Sequence, residues 1–175
     1  TRIGYNKNEI ETWIRELLSG DIAALTVHLR TRKEMSKVPA HWEFMKRIVE
    51  IRDEMKKDTL IIGNGDILSL EEAKQKIKET GCDGVMIGKG IFGNPWLFAN
   101  KIPTLAEKLK VMVEHTKLFE KMLGDVKNFA IMKKHYKAYI NGFDGAKELR
   151  IKLMEAENAD EVEKIVNNFI LEFSV

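Results

Sequence analysis

Apolar positions in the first hundred residues alternate between short continuous runs and helical spacings. "TRIGY", residues 1–5, has the character of the end of a strand. Ile10, Trp13, Ile14 and Leu17 recur at helical intervals, which predicts a helix from Lys7 to Leu18, stopped by Gly20. "IAALTVHL" reads as a buried strand with His28 near its end, and the loop "RTRKEMSKVPA" leads to a helix from about His41 to Met55. Leu60, Ile61 and Ile62 have the unbroken hydrophobicity of a strand covered on both faces, as in a parallel sheet. "LEEAKQKIKET" is the next helix, with Ser69 and two glutamates at its start and Gly81 at its end. "GVMIG" is a further strand, and its exit is Gly88-Lys89-Gly90. The resulting β-α-β-α-β-α-β-α order, with strands roughly 20 to 35 residues apart, predicts a parallel sheet with covering helices.

From about Pro103 the pattern changes to helix throughout. "TLAEKLKVMVEHTKLFEKML", "VKNFAIMKKHYKAYI", "GAKELRIKLMEA" and "ADEVEKIVNNFILEF" are separated by Gly124 and by Asn141-Gly142. The expected fold class is therefore α/β: half of a (β/α)8 TIM barrel over residues 1–100, then an all-α helical bundle over residues 101–175. Four strands do not close an eight-stranded barrel, so an open edge is expected to pair with a second copy or with a missing N-terminal half. A chain that opens at Thr1 inside strand-like sequence points the same way, to a piece of something longer.

Composition narrows the picture only slightly. The 44 % hydrophobic and 32 % charged fractions describe an ordinary globular chain rather than a disordered one. No apolar run approaches a membrane span and no signal-peptide pattern is present, and the single cysteine fits a reducing compartment, so a cytoplasmic location is expected. The net charge of +2 is uninformative, but its distribution is not. Residues 127–152 carry seven Lys/Arg against two Asp/Glu, and residues 153–175 carry one against six. A basic segment beside an acidic tail fits either a docking surface or solvated helix exteriors.

In a parallel barrel the informative polar residues lie at strand C-termini, where active sites form. Three strands here end that way: His28 with Arg30, Asn64 with Asp66, and Gly88 with Lys89. Glycine turns after two successive strands mark a place where amide groups approach an anion, with Lys89 adding positive charge. A histidine at a barrel mouth can donate to a planar cofactor, although a structural role is the commoner one. His41, His115 and His135 show no ligand spacing, so no metal site is expected. Cys82 falls at a strand start, on the stability face, and reads as a small structural residue.

These stretches together, "ALTVHLRTR", "IIGNGDI", "TGCDGVMIGKGIFGNPWLF" and "KKHYKAYINGFDGAKELR", resemble successive motifs of the tRNA-dihydrouridine synthases, in order and over essentially the whole chain. That resemblance implies an FMN enzyme with a TIM barrel and a C-terminal helical domain. Such enzymes reduce the C5=C6 bond of uridine in tRNA, with NADPH as reductant. It implies that Asn64, Gly65 and Asp66 lie against the flavin and that Gly88 and Lys89 hold its phosphate, with lysine replacing arginine. It implies that His28 hydrogen-bonds the flavin ring and that Arg30 and Arg32 lie where substrate enters. On the helical wheel of "VKNFAIMKKHYKAYI", Phe129, Met132, Tyr136 and Ile140 share an apolar side; Lys127, Lys134 and Lys137 share another, with Lys133 at the border. With the family in view, those lysines are expected to be tRNA-phosphate contacts, with Lys147 and Arg150 weaker candidates for the same surface.

The departures from the family pattern are equally specific. Its catalytic acid is a cysteine on a loop of the first half of the barrel, which this chain does not contain, and its flavin-contacting lysine would fall just before Thr1. Glu34, Ser36 and Val38 stand where glutamine, tyrosine and glycine are usual. This chain alone is therefore expected to be inactive. The other readings are a non-catalytic half-barrel with an RNA-binding helical module, and another FMN oxidoreductase acting on a small molecule.

Overall fold

The computed structural model describes residues 1–99 and 101–173. Among these residues the chain is mixed α/β, with one three-stranded parallel sheet and seven α-helices. The strands β1 (Ala24–His28), β2 (Leu60–Asn64) and β3 (Gly84–Met86) lie in the order β1-β2-β3. The register pairs His28 with Asn64 and Asn64 with Met86, so all three strands end side by side. "TRIGY" contributes only an isolated parallel bridge, Arg2 to His28, in place of a full strand.

Helices α1 (Ile10–Ser19) and α2 (Met45–Glu54) bury Leu25, Val27 and Ile61 in a core with Ile14, Leu18, Ile48 and Ile51, and α3 (Leu70–Thr80) follows β2. On α1 the buried stripe is Ile10, Ile14 and Leu18; Trp13 lies at its exposed margin. The start of α3 is as its sequence predicts: Ser69 Oγ accepts from the Glu72 amide at 3.1 Å, and Gly81 ends the helix in the left-handed region at φ 74°. Asp83 ties β3 to its neighbours by accepting from the Ile61 amide and from Arg52, both at 2.7 Å. Cys82 is buried, its thiol donating to the Gly84 carbonyl.

Two expectations are corrected. The sheet is not covered on both faces: Leu60 is 50 % exposed and Thr26, His28, Ile62 and Asn64 are only half-buried, whereas the alternate residues are fully enclosed. The helix expected after β3 is also absent among the described residues. Gly88, Gly90, Gly93 and Pro95 reduce that stretch to two 3₁₀ turns, Lys89–Ile91 and Leu97–Ala99.

The chain divides into two compact units, Thr1–Ile91 and Phe92–Val175. The boundary expected near residue 100 falls on Asn100, outside the described residues. Phe92 and Gly93 belong to the second unit for a physical reason. The Phe92 ring meets His135 edge-on, and Gly93 (φ 70°) lies so close to the Ala138 carbonyl that a Cβ would come within 2.2 Å of it. The second unit contains α4 (Leu105–Leu123), α5 (Ala130–Tyr139), α6 (Ala146–Glu155) and α7 (Ala159–Phe173). Thr104 and Glu107 cap α4 reciprocally. Helix α5 starts later than its hydrophobic pattern predicts, because the Asn128 side chain caps the Ala130 amide. The core joins Leu109, Met112, Met132, Tyr136, Leu149, Leu153 and Val166.

No helix among the described residues is long and apolar enough to cross a membrane. Leu153 is fully enclosed in the second core. Truncating Leu153→Ala should cost about 2 to 5 kcal/mol, read as a lower urea midpoint with an unchanged slope.

Candidate functional site

The C-terminal ends of the three strands meet around the turn that follows β2. Gly65 adopts φ 135°, and a Cβ there would come within 2.6 Å of the Ala40 side chain. Asp66 follows at φ 59°, a left-handed conformation that a non-glycine residue holds only when its surroundings compensate. The compensation is visible. Asp66 Oδ2 accepts from Arg30 Nη2 at 2.5 Å and from the Ala40 amide at 2.8 Å. Trp42 Nε1 donates to the Gly65 carbonyl at 2.9 Å, and its ring covers Gly63 so closely that a Cβ would come within 2.6 Å. The loop between β1 and α2 is thereby folded back onto the turn.

Arg30 is the hub of this arrangement. Its side chain is only 6 % exposed, and its Nε also donates to the Val38 carbonyl at 2.6 Å. Nη1 lies 3.2 Å from His28 Nε2. A guanidinium has no lone pair to offer, so it donates and Nε2 accepts. Burial, then the charges of Arg2 and Arg30, hold the His28 pKa below its ordinary value, whereas the Arg30 hydrogen bond holds the Asp66 carboxyl low. His28 is therefore neutral and Asp66 ionised near pH 7. Asn64 Nδ2 donates to the Met86 carbonyl at 2.8 Å, bridging β2 to β3. Gly88 has open space on its Cα, and Lys89 is exposed without an ion pair among the described residues.

His28, Asn64, Gly65, Asp66, Gly88 and Lys89, the six residues expected to hold a cofactor, line one cleft of about 160 Å³. Arg30 lines it too, which moves that residue from an expected substrate-facing position to the wall of the cleft. The volume is below the roughly 300–1,000 Å³ of typical ligand sites, so the cleft has room for part of such a ligand and not for all of it. A larger groove of about 780 Å³ runs along Thr1, Arg2, Tyr5, Trp13 and Arg32. Arg32 lies there, its amide bonded to the Gly4 carbonyl, and not with the other expected site residues. That groove is bordered by Gly4 and the Arg2 bridge, whereas the ends of β1 and β2 and the turns at Gly65 and Gly88 meet at the smaller cleft, which is therefore the chemical candidate.

Sequence reasoning missed Trp42, Ala40 and the Val38 carbonyl. Their only signal was "VPAHW", a proline-led turn ending on an aromatic residue before a helix. The same loop carries a second tie. Glu34 accepts from the Thr31 amide at 2.7 Å, and His41 contacts Glu34 and Glu43 at 3.0 Å each. The Glu34 hydrogen bond raises the His41 pKa, and the bonds from Thr31 and His41 lower that of Glu34.

In the second unit, Lys133, Lys134, Lys137, Lys147 and Arg150 line one groove between α5 and α6, about 710 Å³ in volume. Two of these cations also have structural work: Lys133 Nζ donates to the Met154 carbonyl and Arg150 Nη1 to the Ile140 carbonyl, both at 2.7 Å, at helix ends. Lys134, Lys137 and Lys147 remain exposed. Lys127 sits in the turn before α5 and does not line the groove. No cluster of three or more metal-ligating side chains occurs among the described residues.

The parallel strands that end together place this chain in the α/β class, in which sites form at strand C-termini. The family follows from comparison with known proteins. The model of the dihydrouridine synthase (Dus) family matches residues 1–174, and the chain belongs to that family. It is 41 % identical over 174 residues to a probable tRNA-dihydrouridine synthase of Staphylococcus aureus (strain MRSA252), and 39 % identical over 173 residues to one of Staphylococcus epidermidis (strain ATCC 12228). The probable tRNA-dihydrouridine synthase 2 of Bacillus subtilis (strain 168) is likewise 39 % identical over 173 residues. Each match covers 97 % of this chain and 53 % of the relative, so the chain spans about half the length of these relatives.

Two outcomes test this geometry. Gly65→Ala meets both a strained φ and the Ala40 contact, and should cost about 2 to 4 kcal/mol, measured by chemical denaturation. His41 has a folded pKa raised above its unfolded value of about 6.5. Its contribution to loop stability is therefore complete below that value and lost as pH rises through the folded pKa. Glu34, with a lowered pKa, sets the acid limit by losing its contribution as pH falls below the ordinary carboxylate range. Protection factors of the amides at residues 31–43, taken relative to intrinsic exchange at each pH, should be highest between these limits, and His41→Ala should remove the alkaline fall.

Proposed function

We propose that this chain is the C-terminal portion of an FMN-dependent tRNA-dihydrouridine synthase. In this reading Thr1–Ile91 is half of an FMN-binding (β/α)8 barrel and Phe92–Val175 a helical tRNA-binding domain. The observation that carries it is the convergence of His28, Asn64, Gly65, Asp66, Gly88 and Lys89 on one cleft. The half-open sheet face is then the barrel interior, lined by the side chains that enclosed strands would bury.

The residues fit FMN. A cleft with a largely apolar wall, polar side chains and glycine turns, beside a lysine without an ion pair among the described residues, suits a phosphate and an amphipathic ring. Lys89 and the Gly88 backbone would hold the phosphate, and Asn64 through Asp66 would present main chain to the ring system. When bound, FMN supplies hydride chemistry at the C5=C6 bond of uridine, with NADPH as the ultimate reductant. His28 would donate to the ring system, while Asp66 and Arg30 keep the turn at a fixed height. In this reading His28 is committed to the ring system and Lys89 to the phosphate, so neither is assigned the proton needed at C5, and this chain alone is assigned binding and not turnover.

The groove between α5 and α6 supports the tRNA reading over a small-molecule oxidoreductase, because a small substrate has no use for exposed lysines on a helical unit. Lys134, Lys137 and Lys147 would meet phosphates and supply salt-dependent affinity without reading bases. Lys133 and Arg150 add charge to the same surface.

The test has two arms. Flavin fluorescence should report FMN binding that Lys89→Glu weakens about 10- to 100-fold, the worth of a charge-assisted hydrogen bond, and that Lys89→Arg preserves or tightens. Binding of unmodified tRNA by the double variant K134E/K137E should weaken, with a log–log salt slope shallower by about 1 to 2. FMN affinity indifferent to residue 89 would overturn the cleft assignment, and an unchanged salt slope would overturn the groove assignment.

A further inference from the structure

We infer that Arg30 is a positioning residue for His28: it fixes the imidazole as the Nδ1–H tautomer, so His28 offers the cleft a donor rather than an acceptor. Three observations carry this. Arg30 is held by three separate acceptors, the Val38 carbonyl, Asp66 and His28 Nε2, and its side chain is almost wholly buried, so the guanidinium cannot turn away. A donor aimed at Nε2 requires the lone pair there, and a neutral ring then carries its proton on Nδ1. No protein hydrogen bond to Nδ1 occurs among the described residues, so that N–H has no protein partner on a residue that lines the cleft.

The surrounding charges agree. Arg2, Arg30 and Lys89 all disfavour the imidazolium, and Asp66 alone favours it. Asp66 is already committed to Arg30 and to the Ala40 amide. The ring therefore stays neutral, and the choice between tautomers is real. Arg30 also acts at second hand on the turn, because the carboxylate it holds stabilises the left-handed backbone of Asp66. Its consequence for catalysis rests on the flavin reading above: the pyrimidine edge of a flavin is rich in carbonyl and ring-nitrogen acceptors, and a donor histidine complements it.

The chain has four histidines, so long-range 1H–15N correlation spectra of the 15N-labelled protein resolve each ring, and His28→Gln identifies the His28 signals by their loss. The wild type should show a protonated Nδ1 and a bare Nε2 at pH 7.5. Arg30→Met should give averaged ring-nitrogen shifts, with titration moved to higher pH as a cation is lost. Arg30→Lys retains the buried charge but offers one nitrogen to three acceptors, and should loosen the tautomer as well, which decides the matter if the methionine variant does not fold. FMN affinity of Arg30→Lys should fall about tenfold. A wild-type Nε2–H tautomer, or ring shifts unchanged in both variants, overturns the inference. The two ideas fail separately: absence of FMN binding by the wild type removes the flavin reading while the ring nitrogens still decide the tautomer. A wild type that binds FMN with Nε2–H does the reverse.

Discussion

The carboxylate of Asp66 joins the exit of β2 to the loop that follows β1, and the candidate site depends on that junction. Asp66 occupies a backbone region that costs a non-glycine residue about 1 to 3 kcal/mol, and it is held there by Arg30 and the Ala40 amide. The same guanidinium reaches His28 and the Val38 carbonyl, so the ends of two adjacent strands and the loop between β1 and α2 share one buried cation. Gly65 and Gly63 are glycines because Ala40 and Trp42 occupy the space a side chain would need. The cleft is thus shaped by Arg30, Gly65 and Asp66 in its wall and, behind them, by Val38, Ala40 and Trp42.

Much of this was legible in the residue pattern, and for identifiable reasons. Ser69 with the glutamates that follow it is a local capping signal, and the structure places a helix start there. The turns at Gly65 and Gly88 were visible because glycine after a short apolar run has few uses. What escaped was non-local. That Arg30 would be buried against Asp66, 36 residues later, depends on the sheet register and not on any neighbouring residue. The reading of Leu60–Ile62 as covered on both faces failed because an apolar run records which residues tolerate burial, not whether a second layer is present. The helix expected after β3 failed against glycines and a proline, whose backbone preferences outweigh a repeating order of elements.

The second unit separates two roles that one charge pattern had merged. Lys133 and Arg150 sit among the basic residues of α5 and α6, yet each satisfies a carbonyl at the end of a helix. Lys134, Lys137 and Lys147 have no such duty among the described residues and leave their charge to the groove. A helical wheel gives the side on which a lysine lies, but whether its amine is spent depends on where the neighbouring helix stops.

Backbone amide shifts of the 15N-labelled chain during titration with FMN test most directly the proposal that the strand-end cleft is a flavin cradle. The largest perturbations should fall on Asn64, Gly65, Asp66, Gly88 and Lys89, with His28 moving in concert. Perturbations centred on Tyr5, Trp13 and Arg32, or none at saturating FMN, would contradict it.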